Sequence, residues 1–90
     1  MRKFRTEPKL EEILKKLFKR DRKRYEIIMK KMQEILTSED PNHYKNLRVP
    51  LQHLKRVHID SSFVLTFRYV QSEDLIIFYD FGHHDEIFKR

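Results

Sequence analysis

Hydrophobic positions in the first half of the chain recur every three or four residues, as on one face of a helix. Pro8 suits a first helical turn, and the apolar stripe after it consists of Leu10, Ile13, Leu14, Leu17 and Phe18. Asp21 is a plausible N-cap, and the next stripe consists of Tyr25, Ile28, Met29, Met32, Ile35 and Leu36. Almost no linker separates the two segments, so the pattern predicts an antiparallel helical hairpin preceded by a short N-terminal piece, residues 4–7.

In the second half the spacing changes to two, and Val, Ile, Phe and Tyr become frequent. This pattern predicts three strands, at residues 56–60, 63–70 and 75–81. A polar turn, residues 71–74, makes the last two strands an antiparallel hairpin. The predicted fold class is α+β, with an N-terminal helical hairpin packed on one face of a small antiparallel β-sheet.

Alternation along the predicted strands assigns side chains to the two faces of the sheet. The side chains expected beneath the helices are Val57, Ile59, Phe63, Leu65, Phe67 and Tyr69. The same rule predicts that four residues of the last strand are also buried beneath the helices: Leu75, Ile77, Tyr79 and Phe81. Arg56, His58 and Arg68 are then expected on the uncovered face, together with Asp80 and, if the alternation continues past Gly82, His84.

The length of 90 residues predicts a single domain, residues 1–90, with no room for a large buried cavity. The chain contains no cysteine, which excludes a disulfide framework and a thiolate metal site. No segment is apolar enough for a signal peptide or a membrane helix. We therefore expect a soluble cytoplasmic protein with no membrane partner.

The net charge of +6 is unevenly distributed. Residues 1–38 contain 13 Lys or Arg against 6 Asp or Glu, whereas the remainder contains 7 against 8. A local basic excess favours polyanions through phosphate contacts, although a solvated helix face is equally basic. Seven cations lie around the turn between the predicted helices and form a candidate ribosome-docking surface: Lys15, Lys16, Lys19, Arg20, Arg22, Lys23 and Arg24.

Two histidines and two arginines are predicted to converge on the uncovered face. RNA cleavage needs a base for the 2′-hydroxyl, an acid for the leaving 5′-oxygen, and cations near the phosphate. His58 and His84 can serve as base and acid, and Arg56 and Arg68 as the cations. The alternative at His83, His84 and Asp85 is a metal cluster, but adjacent strand residues point to opposite faces, so we expect neither metal nor cofactor.

The segment from Tyr44 to Arg90 resembles the YafQ-like branch of the RelE/ParE toxins. The resemblance rests on Pro50-Leu51-Gln52, His58-Ile59, Phe63-Val64-Leu65 and the sequence from Gly82 through His84 to Phe88. It implies a RelE-like fold and a ribosome-dependent, metal-independent endoribonuclease that cuts mRNA. It also implies a cognate antitoxin as a partner, besides the ribosome and mRNA.

Individual roles follow from this resemblance by position. His84 matches the terminal catalytic histidine, Phe88 the aromatic residue that helps to hold RNA, and His58 the strand histidine. The family histidine before the Pro-Leu pair has no direct counterpart, because Arg48 and Val49 stand there; His53 or His43 could substitute. The candidate RNA-binding residues are Phe88, His53, Lys55 and Phe63.

Other functions stay open at this point. The chain could be a non-catalytic binding module, either an inactive toxin relative or a basic RNA-binding protein. A ParE-like inhibitor of gyrase is a further alternative, because the histidine constellation departs from the family pattern.

Overall fold

The computed structural model describes residues 1–88. Its helices are α1 (Pro8–Arg20), α2 (Arg22–Thr37) and α3 (His84–Phe88), and its strands are β1 (Lys3–Thr6), β2 (Lys55–Ile59), β3 (Phe63–Val70) and β4 (Leu75–His83). The two long helices and three main strands predicted from the sequence are confirmed; β3 has its predicted bounds, and those of β2 and β4 differ by one or two residues. Within this described part, no helix is both long and apolar enough to cross a membrane.

A single residue, Asp21, connects α1 to α2. Its carboxylate accepts a hydrogen bond from the backbone N–H of Arg24 at 3.1 Å, so it caps α2 as predicted. Its own backbone N–H donates to the carbonyl oxygen of Leu17 at 2.8 Å and thereby closes α1. The tight connection lets both helices pack on the same side of the sheet.

The sheet has the strand order β1-β4-β3-β2. Neighbours among β2, β3 and β4 are antiparallel, but β1 lies parallel to β4. The sheet is therefore mixed, and part of the N-terminal piece is a strand that the sequence analysis missed. With four residues and charged Lys3 and Arg5 alternating with Phe4, β1 is too short to show a strand pattern.

The main core lies between α1, α2 and one face of the sheet. Its buried side chains are Leu10, Ile28, Met32, Ile35, Leu36, Ile59, Leu65, Phe67, Ile76, Phe78 and Phe81. The predicted faces of β2 and β3 are confirmed, since Val57, Phe63 and Tyr69 also pack against this core.

A β-bulge in β4 changes which of its residues face the helices. Thr66 lies opposite Asp80, but Phe67 lies opposite Phe78, so Tyr79 is an extra residue. Before the bulge, Phe78 and Ile76 face the helices, and the predicted burial of Leu75, Ile77 and Tyr79 beneath them is wrong. Beyond the bulge, Phe81 and Asp80 lie on their predicted faces.

The opposite face of the sheet is partly covered, contrary to expectation. A second buried cluster there consists of Leu47 and Leu54 from the loop before β2, Val64 from β3 and Ile87 from α3. The loop is held by a backbone hydrogen bond from Leu47 N–H to the Leu54 carbonyl at 2.8 Å. This second layer holds α3 against β4 and β3 and brings the Phe88 side chain next to β2.

Candidate active site

Three polar side chains surround the ring of Phe88 at one end of the sheet. The Arg56 guanidinium carbon lies 5.4 Å from the centre of that ring. The ring centres of His58 and His84 lie 6.5 Å and 6.3 Å from it. We refer to Arg56, His58, His84 and Phe88 as the Phe88 cluster.

Helix α3 brings His84 and Phe88 to this position. The His84 backbone N–H donates to the Ser62 carbonyl at 2.9 Å, and buried Ile87 anchors the helix in the second cluster. Because β4 ends at His83, the expectation that His84 continues the strand alternation is wrong. His84 and Phe88 are instead four residues apart on a helix, which places them on one helical face.

The Asp85 carboxylate lies 3.0 Å from Nδ1 of His84. At this distance the carboxylate is close enough to Nδ1 to orient the His84 ring, which leaves Nε2 as the nitrogen available for chemistry. The sequence pattern suggests Asp85 only as a metal ligand. Its position directly after His84, a candidate catalytic histidine, is the sequence signal for its other role, which is to orient the His84 ring.

The His83 ring lies 4.6 Å from the His84 ring, with an angle of 30° between the two planes. The expectation that these neighbours point to opposite faces is wrong, because the strand ends at His83 and a helix begins at His84. His83 pairs across the sheet with Phe63 on the helix side, and their ring centres are 5.7 Å apart. The His83 ring therefore lies at the end of the sheet, against Phe63 on one side and next to His84 of the Phe88 cluster on the other.

A groove of about 290 Å³ opens beside Phe88. Arg56 and Phe88 form one side, and Arg48, Val49 and Leu51 of the loop before β2 form the other. The sequence pattern uses Leu51 for the family resemblance and makes His53 of this loop a candidate RNA-binding residue, but it does not predict the groove. The loop forms part of the groove because it folds back over the sheet.

A second groove of about 410 Å³ lies on the same face, above Thr66 and Asp80. Asp80 is 2% exposed. Its carboxylate accepts hydrogen bonds from Lys9 Nζ at 3.0 Å and from the Phe81 backbone N–H at 2.8 Å. Asp80 is thus on the predicted face but forms part of the groove floor instead of pointing into solvent.

Two of the predicted site residues lie on or near the correct face but outside the Phe88 cluster. Arg68 is exposed on the face opposite the helices, two positions along β3 from Thr66. His53 is exposed in the loop before β2.

Two others lie on the helix side of the sheet. Phe63 stacks on Phe81, with ring centres 5.3 Å apart, beneath the Arg24 guanidinium. Lys55 Nζ donates to the Tyr44 carbonyl at 3.1 Å and to Asn46 Oδ1 at 2.8 Å. Burial lowers the pKa of the Lys55 amine.

The seven predicted docking cations all lie around the α1–α2 junction, but they differ in their surroundings. Arg24 pairs with Asp21 at 2.9 Å and with Asp60 at 3.7 Å, and is half-buried. Arg22 lies over the ring of Phe18. The exposed members form what we term the turn surface: Lys15, Lys16, Lys19, Arg20, Arg22 and Lys23.

Known proteins resemble the chain along nearly its whole length, although no protein-family model matches it. The protein named "Putative toxin RelE4" from Methanocaldococcus jannaschii is 54% identical over 83 residues, which cover 92% of this chain and 86% of that protein. An uncharacterized protein from Methanosarcina mazei is 45% identical over 86 residues, which cover 96% and 95% of the two chains.

Two solved structures have the same fold. The crystal structure of YafQ from E. coli strain BL21(DE3) matches with a TM-score of 0.67 and 17% identity, over 98% of this chain and 99% of YafQ. The solution structure of HP0892 from Helicobacter pylori matches with a TM-score of 0.63 and 23% identity, over 98% and 100%. The sequence identity to the first relative and the agreement of the folds establish that this chain belongs to the RelE/YafQ-like superfamily of toxins.

Proposed function

We propose that this protein is the toxin of a toxin–antitoxin pair and cleaves mRNA on the ribosome without a metal ion. The observation that carries the proposal is the Phe88 cluster, in which two imidazoles and a guanidinium surround an exposed aromatic ring. These are the groups that cleavage next to a ribose 2′-hydroxyl requires.

In the proposed reaction, one histidine of the pair His58 and His84 removes the proton from the 2′-hydroxyl. The 2′-oxygen attacks phosphorus and forms a 2′,3′-cyclic phosphate. The other histidine donates a proton to the 5′-oxygen as the bond from phosphorus to that oxygen breaks. The Arg56 guanidinium stabilises the additional negative charge on the phosphorane.

Neighbouring groups have supporting roles. The Phe88 ring is 44% exposed and offers a surface on which a base can stack. The groove beside it, with Arg48 and Val49 on its far side, can accept an adjacent nucleotide. Asp85 acts as a positioning residue that orients the His84 ring.

The turn surface is the proposed contact with ribosomal RNA, because its cations are exposed and closely spaced. A cognate antitoxin is the proposed second protein partner and would restrain the activity. Since ribosomes and mRNA are the proposed targets, the protein would act in the cytoplasm.

The test is cleavage of mRNA by the purified protein, with and without ribosomes, mapped by primer extension. Wild type should cut only when ribosomes are present. His84→Ala and His58→Ala should each reduce the cleavage rate by about 10²–10⁴-fold, the usual contribution of a general acid or base. His43→Ala removes an exposed histidine outside the cluster and serves as the control.

Circular dichroism should show that all variants remain folded, because surface truncations usually change stability by about 0.5 kcal/mol or less. Equal cleavage by wild type and His84→Ala would refute the assignment of His84. Growth arrest on induction without any mRNA cleavage would instead favour a non-catalytic binding module.

A further inference from the structure

A second group of side chains meets at the junction between β4 and α3. His83 ends the strand, and His84 and Asp85 begin the helix. One potential ligand atom from each of the three residues lies within 4.8 Å of the other two. We propose that His83, His84 and Asp85 form a binding site for a divalent transition-metal ion, with Zn²⁺ as the preferred ion, and that the bound ion inhibits the protein.

The donor set matches the chemistry of zinc. Two imidazole nitrogens and one carboxylate oxygen form a familiar set of three protein ligands, and water can occupy the fourth position. Tetrahedral Zn²⁺ with bonds of about 2.0–2.2 Å holds its ligand atoms roughly 3.3 Å apart. Side-chain rotation must therefore bring the three atoms closer by about 1.5 Å or less. Both histidine side chains are 39% exposed and Asp85 is 64% exposed, so such rotations are open to them.

The backbone that carries these ligands is well supported. The His84 N–H is hydrogen-bonded to the Ser62 carbonyl at 2.9 Å, which ties the junction to the β2–β3 turn. The Phe63 ring packs edge-on against the His83 ring and restricts its orientation. Binding a metal ion thus requires ordering of side chains and leaves the backbone in place.

The surrounding charges allow a cation to approach. Arg24 is the cation next to Phe63, and its charge is balanced by Asp21 and Asp60. The Asp85 carboxylate already lies between the two rings, at 3.0 Å from His84 Nδ1 and 3.6 Å from His83 Nδ1. A metal ion would replace these contacts with stronger ones.

The inhibitory effect rests on the proposed function of His84. A Zn²⁺ ion shared with Asp85 would occupy Nδ1 of His84, the nitrogen that faces this carboxylate. Nε2 would then keep its proton, so it could not accept one from RNA, and a metal-bound imidazole donates a proton less readily than an imidazolium. Asp85 would also no longer orient the ring. His83 has no role in the proposed cleavage, because its ring packs against Phe63 and is not one of the groups of the Phe88 cluster. The ion would therefore convert a metal-independent ribonuclease into one that is switched off by zinc.

Calorimetric titration of the purified full chain with ZnCl₂ tests the site directly. Wild type should bind one ion. His83→Phe keeps a ring against Phe63 but removes the ligand, and should weaken binding by at least about tenfold. His83→Ala is a second variant in case the larger ring disturbs packing. Glu86→Ala removes an exposed carboxylate outside the group and should bind like wild type. Equal binding by wild type and both His83 variants, or no binding by wild type, would overturn the proposal.

The inhibitory effect is tested with the ribosome assay. ZnCl₂ should suppress cleavage by wild type, EDTA should restore it, and His83→Phe should stay active at the same zinc concentration. The variant also controls for effects of zinc on ribosomes. Equal suppression of wild type and variant would overturn the inhibitory role. If wild type cleaves no RNA under any condition, the proposed function fails, and the titration still decides whether the metal site exists.

Discussion

The turn surface and the Phe88 cluster both carry positive charge, but they are built in opposite ways. Side chains of the turn surface extend from two helices into solvent, and their contacts are mostly local, such as Lys15 with Glu12 and Arg22 with Phe18. The Phe88 cluster combines residues from β2 and α3, whose backbones are fixed by the sheet register and by buried Ile87.

The two regions therefore depend on different properties, the turn surface on its number of charges and the Phe88 cluster on its exact geometry. Electrostatic attraction to a polyanion depends on the number of charges more than on their exact placement, so members of the turn surface should be partly interchangeable. Proton transfer and phosphorane stabilisation depend on distances of a few tenths of an ångström, so the Phe88 cluster should tolerate little change. Four predictions test this contrast, beginning with the largest expected effect.

Replacing Arg56 with Ala should lower the cleavage rate by about 10²–10³-fold, because a guanidinium next to the phosphate is lost. Arg56→Lys should restore only part of the rate, since a single ammonium group cannot form two parallel hydrogen bonds. Arg68→Ala is the matched control, because Arg68 is on the same face but outside the cluster. Single-turnover rates of the three variants provide the measurement, and a larger loss for Arg68→Ala would mean that the phosphate lies further along β3.

Reversing four charges of the turn surface, Lys15, Lys19, Arg20 and Lys23 to Glu, should weaken ribosome binding by about 10²-fold near physiological salt. Each lost phosphate contact removes roughly 0.7–0.9 from the slope of log K against log salt, so the slope should flatten by about 3. Ribosome co-sedimentation at several salt concentrations measures both effects. The rate of cleavage once bound should change little.

The matched control for that variant reverses four other exposed cations, Lys3, Arg5, Lys30 and Lys45, and so changes the net charge equally. If both variants lose the same affinity, total charge governs binding and the turn surface has no special role. If neither loses affinity, the turn surface is only a solvated face.

Truncating Phe88 to Ala should raise KM for RNA by about tenfold, since base stacking on an aromatic ring contributes about 1–3 kcal/mol. Phe4→Ala removes a ring of similar exposure, 51% against 44%, at the opposite edge of the sheet. Steady-state kinetics with both variants separates stacking from a general loss of apolar surface. An equal rise in KM for the two variants would count against a stacking role.

The smallest effect on activity is expected at Asp80, which is buried below the larger groove. Asp80→Ala removes hydrogen bonds with Lys9 and with the Phe81 backbone and should destabilise the fold by about 1–3 kcal/mol. For a domain of this size each kcal/mol corresponds to roughly 4–8 °C in Tm. Thermal unfolding measures this loss of stability. The cleavage rate per folded molecule should be unchanged at a temperature well below Tm. A large fall in that rate would mean that Asp80 takes part in the chemistry.

Most of the fold could be predicted because, in long helices and strands, the spacing of apolar residues shows which side chains are buried. It identified α1, α2 and the faces of β2 and β3, and with them the shared face of Arg56 and His58. It could not identify β1, which has four residues, or α3, which has five, because neither completes enough repeats. The bulge at Tyr79 has no sequence signal of its own, since it depends on how β4 pairs with β3.

The candidate site was predictable only in part for the same reason. His84 and Phe88 came from the family resemblance. Strand alternation also placed His84 on the side of His58, where it is found, but a helix and not the strand carries it there. Asp85 and the groove beside Phe88 arise from the start of α3 and from the folded-back loop, which are tertiary features. Strand alternation also predicts that the His83 and His84 rings point apart, whereas they lie 4.6 Å from each other because the strand ends at His83.

The bulge at Tyr79 also determines how this protein can diverge over time. Because Thr66 pairs with Asp80 and Phe67 with Phe78, loss of Tyr79 would leave a regular strand in which Phe78, Asp80 and Phe81 keep their present faces. Loss or gain of one residue after Phe81, by contrast, would shift the alternation of the strand end that leads into α3. The bulge is therefore the place where β4 can change its length by one residue without moving the Phe88 cluster.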